Sequence, residues 1–297
     1  LSGNKKSVSV AIRSSATAED LPTASFAGQH DSFLNIKGEK NLLNAVHKCY
    51  ISLFNDRAIK YRIDNGFEHM MVGLSVGVQH MVRSDTGCAG VIFTIDPESG
   101  FKNIIYITGA WGLGENVVQG AVTPDEYWVF KPTLQQKKNA IVSRKRGEKE
   151  FTMIYDETGE SGRPVKNIET PPEKRSAWIL SDEEVLQLAN WSFEIEKHYG
   201  LAMDIEWAKD GISNKIFIVQ ARPETVHSQK EHGKVFNYKL KEKGDILCKG
   251  KAIGKKIISG HARIIHSLSE ANKLQQGDIL VADITNPDWN SLLRKAI

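Results

Sequence analysis

The stretch MDIEWAKDGISNKIFIVQARPET, Met203 to Thr225, holds two alternating runs either side of KDGISN. Period-two alternation marks a half-buried strand, and Asp-Gly between two such runs marks a hairpin. In the first run Met203, Ile205 and Trp207 leave one face, and Asp204 and Glu206 leave the other. In the second, Gln220 and Arg222 are likewise two apart. A hairpin can gather these four: two carboxylates, an amide oxygen and a guanidinium. Hard oxygen ligands suit Mg2+, whose shell substrate phosphates complete. A guanidinium presents a planar fork to phosphate oxygens. The same pattern also describes a half-buried hairpin whose wet face carries an ordinary ion pair, and spacing alone leaves both readings open.

Working outward, SDEEVLQLANWSFEIEKHYG (181–200) reads as a helix. Ser181 and Glu184 form a capping box, Val185, Leu188, Ala189 and Ser192 share a face, and Gly200 stops the run. Upstream, LSVGVQHMV, GVIFTI, NIIYITGAW and EYWVF read as successive strands from Gly73 onward. Residues 39–65 read as helical, with Leu42, Leu43, Val46, Cys49, Tyr50 and Leu53 at three- and four-residue steps and Asn55–Asp56 placed to cap a second helix. Near the start, SVSVAI alternates as a strand before RSSATAEDLPTASFAGQ (13–29), a hydroxyl-rich stretch that reads as a loop. Downstream, residues 227–244 are polar and Lys-rich, as a linker would be. Beyond them a small β-rich unit begins, with a short helix expected from Ser269 to Leu274. Helices and strands interleave without a regular βαβ rhythm, so the expected class is α+β.

Composition narrows the function classes. The 297 residues carry 39 basic and 36 acidic side chains, a balance that makes no nucleic-acid footprint. Cys49, Cys88 and Cys248 are scattered and odd in number, which fits a reducing compartment, hence a cytoplasmic location. No window approaches the roughly 18 apolar residues of a membrane helix. The chain begins without Met and ends where a helix reads as starting, so it is expected to be a piece of a longer protein. Two further segments could meet a ligand. GAWGLGENVVQG (109–120) sets four glycines around Glu115, and glycine lets backbone approach a ligand closely. Ser14, Ser15 and Thr17, with the Gly28 amide and Arg13, offer donors to a phosphate chain. Taken alone, the first reads more readily as a tight strand-to-helix turn and the second as a surface loop with helix-capping serines.

Taken jointly, the segments VAIRSSATAEDLPTASFAGQHDSFLNIKG, SLFNDRAIKYR, VQHMVRSD, GVIFTIDPESG, GLGENVVQGAVTPDEYWVFKPTL and the 203–225 hairpin resemble the nucleotide-binding domain of the phosphoenolpyruvate synthase (pyruvate, water dikinase) family. The resemblance spans essentially the whole chain. Its tail, GKAIGKKIISGHARII and GDILVADITNPDWNSLLRKA, resembles the start of that family's phosphohistidine domain. Pyruvate, phosphate dikinase and rifampin phosphotransferase share the architecture.

The resemblance implies an ATP-grasp-like domain over 1–226, with subdomains 1–72 and 73–226, a linker over 227–244 and a truncated swivelling domain over 245–297. It implies a phosphotransferase that uses ATP to phosphorylate a histidine and then pyruvate, giving phosphoenolpyruvate, AMP and phosphate. Mg2+ is the implied cofactor. Glu206 and Gln220 match the metal ligands, and Asp204 and Arg222 their phosphate-facing neighbours. Arg13 matches the arginine on the ATP phosphates, and Ser14 to Gly28 the loop that closes over them. Gln79 to Val82, including Met81, match the segment whose backbone reads adenine. Glu115 falls at a nucleotide-contacting acid, and Thr94 and Asp96 are assigned to nucleotide contact as well. The family's earlier Gly-rich segment with its phosphate-contacting lysine is absent, as is the GG-x-T-x-H-A motif of the phosphorylated histidine. The chain alone is therefore expected to be inactive, reaching pyruvate only through further domains, with no membrane partner and with a homodimer left open for the full-length protein. A dikinase for an antibiotic or a glucan, a non-catalytic nucleotide-binding module and an ATP-grasp ligase are the alternatives.

Overall fold

A computed structural model describes residues 8–17, 31–156, 164–224, 241–242, 245, 257–283, 285 and 287–297. The expected linker lies outside these apart from 241–242, and so do the expected loop beyond Thr17 and Gly28 within it. The chain divides into two compact units, Leu1–Asp96 with Lys102–Thr225, and Pro97–Phe101 with Val226–Ile297.

The first unit mixes helices with antiparallel sheets. Strands β1 (Val10–Ala16), β2 (Phe33–Ile36) and β3 (Leu74–His80) form a three-stranded sheet in the order β2-β1-β3. Helix α1 (Glu39–Ile51) covers one face, where Ile12 packs with Ala45 and Cys49. On the other face Ala11 packs with Met81, Leu113, Met153 and Tyr155. Helix α2 (Asp56–Asp64) is separate from α1, because the Asn55 side chain accepts from the Ala58 amide at 2.8 Å and starts a new helix there.

Two expectations change here. The strand does not stop at Ile12: Arg13, Ser14, Ser15 and Ala16 pair with Gly77, Val76, Ser75 and Leu74, so RSSA is sheet and not loop. Small hydroxyl side chains are tolerated because the ladder bonds are made by backbone. And β3 belongs with β1, so the first sheet extends past the expected division at residue 72 to His80.

The larger sheet runs β11-β10-β4-β5-β6-β7. Its strands are β4 (Cys88–Phe93), β5 (Ile104–Trp111), β6 (Asp125–Phe130), β7 (Ile141–Lys145), β10 (Met203–Lys209) and β11 (Ile216–Pro223). Between β5 and β6 lies the short helix α3 (Glu115–Val118), and α4 (Lys131–Gln135) follows β6. A separate hairpin pairs β8 (Phe151–Tyr155) with β9 (Val165–Glu169), and a turn of helix, α5 (Pro172–Ser176), follows. Helix α6 (Asp182–Tyr199) lies over one face of the large sheet, burying Val185, Leu188 and Ala189 with Ile92, Ile107, Ile205 and Trp207. Its capping box is formed in both directions, and Gly200 ends it at φ 69°. Gly109 is demanded by this packing, since a Cβ there would meet Trp207 and Ile179 at 2.7 Å.

In the second unit β12 (Ala262–Ile264) and β13 (Ile279–Val281) pair in parallel. Ile265, Leu274, Trp289 and Leu292 form its core, the last on α7 (Asn290–Leu293). The expected helix over 269–274 is a 3-10 segment, Leu268–Lys273. Among the described residues no helix is long and apolar enough to cross a membrane.

Candidate functional site

The site is built on a defect in the β10–β11 hairpin. Trp207 pairs with Ile218 but Glu206 pairs with Gln220, so Val219 is an extra residue in the ladder. Strict alternation would put Gln220 and Arg222 on the face of Ile216 and Ile218, which pack on the core. The bulge reverses this. Gln220 stands opposite Glu206 and Arg222 opposite Asp204, on the sheet face away from α6. Both nitrogens Nε and NH2 of Arg222 donate to Asp204 Oδ2, at 2.8 and 2.7 Å.

The fifth member comes from the other sheet. Arg13 NH2 donates to Glu206 Oε2 at 2.8 Å and also to Gln220 Oε1. A second tie joins the sheets where the bulge leaves a carbonyl turned from the ladder: Gln79 Nε2 donates to Val219 O at 3.1 Å. Asp204 is held above the usual carboxylate range by burial, despite the opposing pull of Arg222, with Glu206 and Glu224 adding to the rise. Two carboxylates, an amide and two guanidiniums thus share one patch.

The remaining expected residues separate into three groups. Met81 is buried against Leu113, and its amide donates to Ser9 O at 3.0 Å; Val82 follows at the turn into β4. Glu115 opens α3, half-buried, with Oε1 accepting from Gln119 Nε2 at 2.8 Å. Helix α3 lies over the sheet face that carries Glu206, since the Cβ of Ala89 closes to 3.5 Å of a Cβ built on Gly114 and Ala89 alternates with the core residues Cys88 and Ile92. These segments therefore share a face with the cation–carboxylate patch. Ser15 alternates onto the side of Arg13, whereas Ser14 falls on the side of Ile12, facing α1.

Strand parity turns the Ser14 side chain away from that of Arg13. Thr94 lies in the interior. It is 1% exposed, its hydroxyl accepts from the Met203 amide at 2.8 Å, and its carbonyl accepts from Lys131 Nζ at 2.6 Å. Those bonds commit it to the interior. Asp96 is half-buried two residues further on. Of the glycines around Glu115, Gly112, at φ 88°, lets the backbone close on Met153, where a Cβ would stand 2.4 Å from its carbonyl.

Two features escaped the sequence reading. Gln79 acts here through its side chain. The Val219 bulge was signalled only by a conflict, Ile216 and Ile218 sharing parity with Gln220 and Arg222. Among the described residues no three His, Cys, Asp or Glu side chains gather to hold a metal ion by themselves. Glu206 and Gln220 face each other with one carboxylate and one amide oxygen, which fits a cation that keeps waters and takes phosphate oxygens, as Mg2+ does. They do not fit a zinc-type site.

An open sheet face with paired oxygens, two guanidiniums and a neighbouring backbone turn defines a domain of the nucleotide-binding kind. The chain belongs to the family described as pyruvate phosphate dikinase, AMP/ATP-binding domain, which matches residues 2–243. It is 53% identical over 100% of its length to phosphoenolpyruvate synthase of Pseudomonas aeruginosa, and 53% identical over 100% of its length to that of Escherichia coli. It is 44% identical over 97% of its length to the probable phosphoenolpyruvate synthase of Methanocaldococcus jannaschii. It spans 37% of the first two proteins and 23% of the third.

Proposed function

We propose that this chain is the ATP-binding part of a phosphoenolpyruvate synthase, a dikinase that phosphorylates a histidine and then pyruvate. The observation that carries the reading is the meeting of Arg13, from one sheet, with Glu206 and Gln220 on the other. The two sheets form an ATP-grasp arrangement, with the triphosphate over the bulged hairpin and the adenine end at Met81–Val82 near Glu115. Arg13 and Arg222 offset phosphate charge, and Arg13 supplies directional donors to non-bridging oxygens. Asp204 orients Arg222 through its paired bonds and does not take a proton from the substrate. Glu206 and Gln220 would hold Mg2+, which supplies charge neutralisation across the phosphate oxygens when bound. The residues beyond 245 begin the phosphohistidine domain, and pyruvate is bound elsewhere in the complete protein. An acceptor other than pyruvate is disfavoured by the name the relatives share.

Calorimetric titration of ATP into the parent chain and Glu206→Gln, with and without Mg2+, tests this. Glu206→Gln is expected to lose most of the Mg2+-dependent gain in ATP affinity, about tenfold or more. An unchanged gain would overturn the metal assignment.

A further inference from the structure

The single nitrogen NH2 of Arg13 bonds to both oxygens that the proposed function gives to the metal, Glu206 Oε2 and Gln220 Oε1. We infer that Arg13 is an exchangeable latch that makes metal and nucleotide binding at this site mutually dependent; the inference rests on the metal assignment above. Two physical facts drive it. Mg2+ binds oxygen at about 2.0–2.1 Å and cannot share the gap between the two oxygens with a guanidinium nitrogen. Glu206 and Gln220 sit directly opposite in the ladder, and a cation held by the two oxygens that Arg13 now bonds would have to displace its guanidinium.

Asp204 already feels the charge of Glu206 beside it on the same face of the strand. Withdrawal of Arg13 alone would leave Glu206 facing Asp204 with no cation of its own. Withdrawal is therefore favourable only when two things happen together. A divalent ion replaces the guanidinium on Glu206 and Gln220, and an anion receives the guanidinium. A polyphosphate supplies that anion. Each ligand thus lowers the cost of binding the other, and the coupling is reciprocal.

Arg13 can make this exchange because it stands on β1, in the three-stranded sheet, while its partners stand on β10 and β11. It is half-buried, as is Glu206, with side chains 26% and 32% exposed. Arg222 differs: it shares a hairpin with Asp204 and holds it through two nitrogens, so it stays paired during the exchange.

Free Mn2+, an oxygen-seeking substitute with a magnetic-resonance signal, is counted in titrations of the full chain with and without a β,γ-imido analogue of ATP. Parent, Arg13→Met, Arg13→Gln, Glu206→Gln and Arg13→Met/Glu206→Gln are compared after thermal melts confirm folding. The latch expects both Arg13 variants to bind Mn2+ alone about fivefold or more tighter than the parent, and to lose the gain that the nucleotide gives the parent, within the usual range of coupling factors. Arg13→Gln serves if Arg13→Met does not fold. If the two Arg13 variants bind Mn2+ no tighter than the parent while Glu206→Gln still removes the nucleotide-dependent Mn2+ site, the latch is overturned and the metal assignment stands. If Arg13→Met/Glu206→Gln binds Mn2+ as tightly as Arg13→Met, the metal lies elsewhere and both fall.

Discussion

Asp204 and Glu206 stand two residues apart on one strand and yet carry different duties. Asp204, with a side chain 14% exposed, gives one oxygen to two nitrogens of Arg222, and burial raises it above the usual carboxylate range. Glu206, twice as open, meets one nitrogen from a distant strand. Burial and shared bonds make the first pair a fixture, whereas exposure makes the second replaceable. Burial also decides the chemistry of Cys88, where it pushes the thiol up to about 12. The thiolate is the reactive form, so this cysteine stays neutral at working pH. Iodoacetamide at pH 8 is expected to leave Cys88 unmodified in the folded chain and to alkylate it in denaturant, read by peptide mass mapping. Rapid labelling under native conditions would show that the start of β4 opens readily.

At the scale of elements, the strand edge before β8 is held by a charge inside the protein. Lys149 Nζ and Asp125 Oδ1 are 2.6 Å apart and both side chains are fully buried. Asp125 also accepts from the Gly147 and Ile179 amides, at 2.9 and 3.0 Å. One carboxylate thereby pins the start of β6, the turn before β8 and the approach to α6. Removing only the lysine strands that carboxylate. Lys149→Met is expected to destabilise the chain by about 3–5 kcal/mol, and Lys149→Met with Asp125→Asn by less. Urea denaturation followed by circular dichroism measures both. A loss under about 1 kcal/mol for Lys149→Met would show that water reaches the pair. The bulge at Val219 is the corresponding device in the hairpin. It adds one residue, turns a carbonyl toward Gln79 and sets the face on which Gln220 and Arg222 stand.

For the whole molecule, the first unit joins two sheets through Arg13 and Gln79, and the chain covers 37% of the Pseudomonas and Escherichia relatives. On the proposed function it is expected to bind ATP more tightly with Mg2+ than without, read by calorimetry. ATP labelled in the β-phosphate is also expected to leave no acid-labile, base-stable label on the chain. Among the described histidines, His266 gives Nδ1 to a bond with Asp283 at 3.0 Å, and His261 lies at the entry to β12 with its carbonyl accepting from Ile279. Stoichiometric label on either would relocate the phosphoryl acceptor to this chain.

Most local elements and the chemical inventory were legible in the sequence alone. Alternation marked β10 and β11, the capping box and Gly200 bounded α6, and the family motifs singled out Glu206, Gln220, Asp204, Arg222 and Arg13. These are legible because periodicity, caps and turns depend on neighbours in the chain. The tertiary structure decided the rest. Arg13 and Glu206 are 193 residues apart and meet only because two sheets face each other. Ser14 faces α1 and Thr94 is pinned in the interior, through strand parity and burial that composition does not encode. The face of Gln220 was set by one extra residue in a ladder, whose register depends on what packs beneath it. Pairing across sheets and the position of a bulge are fixed by the packing of distant side chains, so they became visible only in the folded chain.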